Sequence, residues 1–296
     1  MFEKRTDLAL EARELWQESA GKTTRLTGVR AKTSKQEGYA VTRVEILNEK
    51  GEAALGKPAG NYLTIDLSPF SQRRDGFFER AVRVVGAQLR SLLPARGSVL
   101  VVGLGNRAMT ADAVGPLAVE SVLVTRHMVS APPFSDFRPV AALSPGVLAA
   151  TGVETAEAVG AVAEQVRPAA VIAIDALAAR RMSRVCATVQ LADTGISPGS
   201  GVGNHRSPLN RETLGVPVIA VGVPTVVDAA TIAADLLEES GGGRIDPDRL
   251  RRDAAPMMVT PRDIDRLVRE LAKVVGYGIN WALQEMEIED MTALLT

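Results

Sequence analysis

Two aspartates, Asp112 and Asp175, are the residues of this sequence best placed to do chemistry together. Asp175 directly follows a continuous apolar run, Ala169–Ile174, and Asp112 lies in the loop after a second such run, Ser98–Val102. Parallel sheets bind ligands at the carboxyl ends of their strands, so two neighbouring strands would bring both carboxylates to one cleft. Such a pair can divide the work of hydrolysis, one carboxylate activating water and one carboxyl donating a proton. Alternatively, each aspartate caps the helix that follows it.

A glycine-rich loop is a second candidate for ligand binding. It follows a short predicted strand, Thr188–Leu191, and its candidate substrate-cleft residues are Asp193, Gly199, Gly201 and Gly203. Glycines allow backbone N–H groups to face an oxyanion or a peptide, although a surface loop without a ligand has the same composition. His205 at the end of the loop could be a base or a metal ligand, but its polar neighbours favour a solvated side chain.

The loop before Asp112 also resembles a nucleotide-binding motif. Gly103, Gly105 and Ala108 fit the G-x-G-x-x-A pattern of dinucleotide-binding proteins. That pattern requires a helix directly after the glycines and an acidic residue about 20 positions later, at the end of the next strand. Residues 106–110 read as a loop instead, and no acidic residue ends a strand near position 125. The sequence therefore favours chemistry without a nucleotide.

The elements that must position these residues alternate between strands and helices. The apolar runs at 98–102, 169–174 and 216–221 predict strands buried on both faces, as in a parallel sheet covered by helices. Helical patterns lie at 77–93, 113–123, 153–165, 226–239 and 261–283. We expect an α/β fold with a doubly wound, mostly parallel sheet. Extra N-terminal strands are predicted at 39–47 and 62–67, after 35 mostly helical residues.

Composition excludes several classes of protein. The chain has 296 residues, 46% of them hydrophobic, and 34 basic against 35 acidic residues give a net charge of −1. This balance argues against disorder and against direct nucleic-acid binding. No apolar stretch approaches a membrane span, and the charged start lacks a secretory signal, so we expect a cytoplasmic protein. One cysteine and two histidines disfavour a zinc centre, and no metal or other cofactor is predicted.

Several longer motifs occur in order along the chain. They are the stretches 5–9 (RTDLA), 102–106 (VGLGN), 112–116 (DAVGP), 144–147 (SPGV), 174–180 (IDALAAR), 199–204 (GSGVGN) and 221–228 (VGVPTVVD). In these motifs the sequence resembles the germination protease family, spore endopeptidases that degrade small acid-soluble spore proteins. The resemblance extends from near the N-terminus to the last predicted helix.

The resemblance implies an atypical aspartic endopeptidase whose fold is similar to that of hydrogenase maturation proteases. It implies a homotetramer in the forespore or spore core, with small acid-soluble spore proteins as substrates. The family's two proposed catalytic aspartates correspond to Asp112 and Asp175, and which of them is the base stays open. Asn106, Asp193 and the glycine-rich loop would then shape the substrate cleft.

Family members are made as zymogens that cut themselves near the N-terminus, and their substrates are cut after Glu in Thr-Glu-(Phe/Ile)-Ala-Ser-Glu. Residues 6–11, Thr-Asp-Leu-Ala-Leu-Glu, are similar to that pattern. The resemblance therefore predicts self-cleavage between Asp7 and Leu8, with residues 1–7 as prosegment and 8–296 as one α/β peptidase domain. This prosegment is shorter than the family's usual one, which argues against strong inhibition by it.

Two alternatives use the same residues. A protease could hold a metal ion on the two carboxylates, in which case a chelator would inhibit it. A non-catalytic spore-protein binder could use both aspartates only to cap helices. If replacing either aspartate abolishes cleavage, the protein is an enzyme and the second alternative is excluded.

Overall fold

A single mixed sheet forms the centre of the fold. The computed structural model describes residues 6–20, 26–68, 70, 76–132, 134–199, 206–239 and 257–295. Its strands are β1 (Val29–Gln36), β2 (Tyr39–Ile46), β3 (Gly60–Asp66), β4 (Val99–Gly103), β5 (Val140–Leu143), β6 (Ala170–Ala179), β7 (Thr188–Ala192), β8 (Val218–Asp228) and β9 (Met258–Val259). The order is β1-β2-β3-β7-β8-β6-β4-β5, and β9 pairs with the end of β8. The parallel part of the sheet consists of four adjacent strands, β8, β6, β4 and β5. All other pairings between the described strands are antiparallel.

Helices cover both faces of the sheet. They are α1 (Ala9–Ala20), α2 (Glu49–Leu55), α3 (Phe77–Arg90), α4 (Val114–Val119), α5 (Leu148–Thr151), α6 (Thr155–Val166), α7 (Arg211–Leu214), α8 (Ala229–Glu239), α9 (Ile264–Gln284) and α10 (Ile288–Leu295). Helices α3, α4 and α9 pack in the largest core, and α6 packs in a second core. Helix α1 packs with β2 and β3 in a third.

Alternate residues of β4 show why an apolar run forms a central strand. Val99 and Val101 belong to the core that contains α3 and α9, whereas Leu100 and Val102 belong to the core of α6. All four side chains are fully buried. A strand between two helical layers needs apolar residues on both faces, which is the pattern that the sequence shows. The predicted α/β class with flanking helices is thus confirmed.

The close approach of β4 and α4 depends on two glycines. A Cβ added to Gly103 would lie 2.4 Å from the carbonyl oxygen of Gly115. A Cβ added to Gly115 would lie 2.3 Å from the carbonyl oxygen of Leu104 and 2.6 Å from that of Ile174. These contacts are with backbone atoms, which cannot rotate away. Gly103 is therefore explained by helix–strand packing rather than by a bound nucleotide.

The N-terminal region differs from the expectation of a mostly helical start. Helix α1 is followed by β1, whose residues Val29–Gln36 fall largely within the stretch predicted as helix. β1 is an edge strand that pairs only with β2, and most of its side chains are exposed. Exposure on both faces removes the apolar alternation by which a strand is recognised. Helix α2 likewise lies between the predicted strands at 39–47 and 62–67, where the sequence analysis predicts no helix.

The expected boundary between β8 and α8 is also wrong. The sequence predicts a strand ending at Val221 and a helix from Val226, but β8 continues to Asp228 and α8 begins at Ala229. The Asp228 carboxylate accepts a hydrogen bond from the Thr231 N–H at 2.8 Å, so the cap lies later than the pattern suggested. The expectation of a mostly parallel sheet is also wrong: among the described strands three pairings are parallel and five are antiparallel, and β7 is antiparallel to both β8 and β3.

We expect Gly115→Ala to destabilise the protein by about 1–3 kcal/mol, because its Cβ would overpack against backbone. Urea unfolding would measure this change in the free energy of unfolding. Gly160→Ala is the matched control, since its Cβ would meet nothing closer than 4.0 Å and alanine favours a helix. Equal stability of the two variants would contradict this account of the β4–α4 contact.

Candidate active site

Asp175 lies where β4 ends and β6 continues. Gly103, the last residue of β4, pairs with Ile174, and β6 runs on to Ala179. The Leu104 N–H donates to the Ile174 carbonyl at 2.8 Å and closes this part of the sheet. The Asp175 side chain is only 5% exposed and accepts a 2.9 Å hydrogen bond from the Ala176 N–H. The strands thus place a carboxyl group, nearly out of water, at the carboxyl edge of β4.

Asp112 is held at the same edge by the loop that follows β4. It ends a short 3-10 helix, Thr110–Asp112, and its Oδ2 accepts a 2.7 Å hydrogen bond from the Asn106 N–H. The Thr225 hydroxyl of β8 donates to the Ala111 carbonyl at 2.6 Å and ties the turn to the sheet. Gly105 has a φ of +104°, and a Cβ there would lie 2.1 Å from the Asp112 carbonyl oxygen. The loop therefore needs glycine at position 105 to bring Asp112 back to the strand.

Burial and mutual repulsion both act on these carboxyls. Burial is the main cause that raises the pKa of Asp175 well above its usual range, and the charge of Asp112 is the next. The charge of Asp7 also raises this pKa, while the hydrogen bond from Ala176 opposes the rise. Burial raises the pKa of Asp112 too, against the hydrogen bond from Asn106. The arrangement favours one shared proton over two ionised carboxylates.

Neither aspartate caps a helix. β6 continues for four residues past Asp175, from Ala176 to Ala179. The N-cap of α4 is Ala113, and no side-chain hydrogen bond caps that helix. The helix-cap alternative is therefore wrong for both residues. Helix α4 also begins at Val114 rather than directly after the glycines, so the context required by the dinucleotide pattern is missing.

The segment before α1 lies along β6 beside Asp175. The Asp7 N–H donates to the Ala178 carbonyl at 2.9 Å, and the Ala178 N–H donates to Asp7 Oδ2 at 2.8 Å. The Leu8 side chain is fully buried in the largest core. The Leu8 N–H donates to the Thr6 hydroxyl at 3.0 Å. The residues on both sides of the Asp7–Leu8 bond are thus fixed against β6 and the core, and Asp7 is close enough to Asp175 for its charge to act on that carboxyl.

A buried carboxylate anchors the start of α1. Glu11 is fully buried and accepts hydrogen bonds from the Arg180 N–H at 2.6 Å and the Arg181 N–H at 3.1 Å. Arg184 lies 3.5 Å from the same carboxylate. Burial raises the pKa of Glu11, and its hydrogen bonds and Arg184 oppose the rise. Burial lowers the pKa of Lys57, and the charges of Asp7 and Glu11 oppose that change, so a cation also lies near this segment.

The other predicted cleft residues are not all at this edge. Asn106 lies at this edge, because its N–H donates a hydrogen bond to the Asp112 carboxylate. Asp193 follows β7, three residues beyond Gln190, which is level with Asp175 across β8. That places Asp193 roughly 10 Å further toward the opposite edge, where it accepts two 2.8 Å hydrogen bonds from Asn61. Gly199 lies in the loop beyond it with a φ of +73°, while Gly201, Gly203 and His205 lie outside the described residues.

Sequence reasoning missed Glu11 and Gln190. Both are buried polar residues at the segment around Asp7. Gln190 belongs to no recognisable motif, and the cleavage pattern at 6–11 includes Glu11 without predicting that it is buried. A glutamine between Val189 and Leu191 in a short predicted strand was the available signal for Gln190. In the described ranges, no three or more His, Cys, Asp or Glu side chains are grouped to hold a metal ion. None of the described helices combines the length and apolarity needed to cross a membrane.

Comparison with known proteins gives one consistent family. Residues 9–239 match the family model described as germination protease. A germination protease of Clostridium perfringens is 42% identical, with the whole of both chains covered. That of Caldanaerobacter subterraneus is 44% identical, over 95% of this chain and 94% of the relative, and that of Bacillus cytotoxicus is 37% identical over 99% and 96%.

Among solved structures, the NiFe hydrogenase maturation protease HycI of Thermococcus kodakarensis is similar over 65% of this chain and 99% of its own. The TM-score is 0.38 and the sequence identity 18%, a similarity too low to have weight for fold or function.

We expect Asp175→Asn to change how stability depends on pH. A carboxyl whose pKa is raised by folding binds its proton more tightly in the folded state, so the free energy of unfolding falls as pH rises above the unfolded pKa. Asparagine keeps the oxygen that accepts from Ala176 and cannot ionise, so the variant should gain stability relative to wild type as pH rises. Each unit of pKa difference corresponds to about 1.4 kcal/mol.

Urea unfolding between pH 4 and 8 would measure this difference. Asp136→Asn is the control, because Asp136 is an exposed carboxylate on the surface. Parallel stability curves for wild type and Asp175→Asn would show that Asp175 is not held in a raised-pKa site.

Proposed function

The chain belongs to the germination protease family, and we propose that it cleaves peptide bonds with Asp112 and Asp175 as a coupled acid–base pair. The observation that carries the proposal is the buried Asp175, whose pKa is raised by burial and then by the neighbouring Asp112. Two carboxyls whose charges interact in a buried site favour holding one proton between them, and a pair with one proton can supply both the acid and the base for hydrolysis of an amide. Neither group is used as a helix cap.

The two environments suggest the division of roles. Asp175 is the more buried group, which favours its protonated form, and it would donate the proton to the leaving nitrogen. Asp112 is partly exposed and accepts a hydrogen bond from the Asn106 N–H, which favours its ionised form, so it would remove a proton from water. The water oxygen would bond to the carbonyl carbon of the substrate. Breakage of the C–N bond would then leave a new carboxyl and a new amine.

The first substrate that we propose is the chain itself, cut between Asp7 and Leu8. Support comes from the main-chain hydrogen bond of Asp7 to Ala178, three residues after Asp175, and from the effect of Asp7 on the pKa of Asp175. Lys57 lies near enough to Asp7 for their charges to interact and would favour an acidic residue before the cut. Residues 1–7 would form the prosegment of a zymogen.

Processed enzyme would cut small acid-soluble spore proteins, which resemble residues 6–11 at their cleavage sites. With this role, the protein would act in the forespore or spore core. We also propose a homotetramer and a reaction without a metal ion. We keep three residues as proposed lining of the substrate cleft. Asn106 contacts Asp112, whereas Asp193 and Gly199 lie farther from the two aspartates.

Asp112→Asn and Asp175→Asn should each lower the rate of peptide cleavage by about 100-fold or more, since acid–base groups contribute roughly 10²–10⁴-fold. The assay is cleavage of an acid-soluble spore protein, or of a peptide that contains its site, followed by mass spectrometry. Asp136→Asn is the matched control and should keep wild-type activity, because its carboxylate is exposed on the surface. A chelator should have no effect.

Three results would contradict this proposal in different ways. Full cleavage by either variant would remove the aspartate mechanism. Inhibition by a chelator, restored by added metal, would favour a metal-dependent protease on the same carboxylates. Binding of the spore protein without cleavage, by protein already cut at its N-terminus, would favour a non-catalytic binder.

Incubated wild-type protein should lose residues 1–7 and gain Leu8 as its new N-terminus. Intact-mass measurement and N-terminal sequencing would detect the change. Asp175→Asn protein should stay full length under the same conditions. A cut at any other bond would show that the contacts of Asp7 with β6 do not define the processing site.

A further inference from the structure

We propose that Gln190 clamps the main chain at the self-cleavage site and stabilises the oxyanion that forms when the Asp7–Leu8 bond is attacked. This inference rests on the proposed self-cleavage and adds to it a residue that contacts the reacting peptide. Gln190 Nε2 donates to the Asp7 carbonyl oxygen at 3.1 Å. Gln190 Oε1 accepts from the Ala9 N–H at 2.8 Å. One side-chain amide therefore holds both sides of Leu8.

These two contacts are those that a neighbouring β-strand would make. Across an antiparallel ladder, the carbonyl before a residue and the N–H after it can bond to the same partner strand. Here the amide of Gln190 takes the place of that strand. Since the contacts are made with main-chain atoms, they fix the register of the segment without reading its side chains.

Gln190 is aligned with Asp175 by the register of the sheet. Gln190 pairs with Gly222 of β8, and Gly222 pairs with Asp175 of β6, so the three residues form one row on one face. Strand spacing puts the Cα atoms of Gln190 and Asp175 about 10 Å apart. Gly222 contributes no side chain to the row, and a Cβ there would lie 2.2 Å from Cδ1 of Leu177. The row therefore has an amide at one end and a carboxyl at the other.

The position of the amide matches the charge that develops during hydrolysis. When water adds to the Asp7 carbonyl carbon, the C=O electron pair moves onto the oxygen that Nε2 already contacts. Gln190 is only 7% exposed, so little water competes with this hydrogen bond. A donor that is fixed before the reaction and shielded from solvent is worth more than one in water.

Two substitutions separate the clamp from the oxyanion contact. Gln190→Glu keeps an acceptor for the Ala9 N–H but removes the donor to Asp7, and Gln190→Leu removes both. Both variants should slow self-cleavage by about 100-fold or more, as for loss of one oxyanion donor. Gln88→Leu is the matched control: Gln88 bonds Gln36 through its amide at 2.6 Å, away from this segment, and its loss should leave the rate unchanged.

Hydrogen exchange supplies a readout that does not depend on cleavage. In full-length protein that also carries Asp175→Asn, Gln190→Leu should speed exchange of the Ala9 amide by about 10-fold, and Gln190→Glu should not. The tenfold figure corresponds to loss of about 1.4 kcal/mol, as expected for one buried hydrogen bond. Slow cleavage by Gln190→Glu together with slow exchange at Ala9 would assign the lost rate to the missing donor.

The inference and the proposed function can fail separately. If wild type cuts itself and both Gln190 variants do so at the same rate, the inference is overturned and the aspartate mechanism stands. If wild type does not cut, the proposed function fails, and with it the oxyanion role. Unchanged exchange at Ala9 in Gln190→Leu would then overturn the clamp as well.

Discussion

Asp175 lies almost completely out of water at the level where β4 stops and β6 continues, with Asp112 and Asp7 close enough for their charges to act on it. Keeping ionised carboxylates together in such a place is costly, so the site requires a proton to stay there. The N–H groups of Asn106 and Ala176 offset part of this cost, because their hydrogen bonds stabilise the ionised form of each carboxylate. The burial that opposes ionisation would also keep one carboxyl protonated, which would make the pair useful for hydrolysis.

The positions of these carboxyls depend on glycines, whose lack of a side chain allows close backbone contacts. Gly103 and Gly115 allow β4 and α4 to come within backbone contact, and Gly105 lets the following loop turn back over the sheet. Gly222 leaves the row between Gln190 and Asp175 without a side chain of its own. A glycine-rich stretch that resembles a nucleotide motif is thus accounted for by packing around a carboxyl.

The sequence predicts the parts of this site that depend on local patterns. Buried parallel strands are recognisable as apolar runs, and the residues that follow them must meet at one edge, which is why Asp112 and Asp175 could be selected together. Gln190 could not be selected from the sequence, because its partner Asp7 is 183 positions away and β7 pairs with β8 in the antiparallel direction. Glu11 reads as one charge on a polar helix, although folding buries it under β6. Edge strand β1 is not recognisable in the sequence because only Val29 and Ala31 among its residues are apolar.

The attachment of residues 6–11 to β6 and β7 also bears on competition between molecules. Ala178 and Gln190 are occupied by a segment of the same chain, and Glu11 holds that segment in place from the far side of the Asp7–Leu8 bond. A tethered ligand of this kind has an effective concentration on the order of millimolar. A peptide from another molecule would have to exceed that concentration, or bind more tightly, to displace it. Full-length protein should therefore not bind dilute outside peptides at this site, and the proposed self-cleavage should have a rate that does not depend on protein concentration.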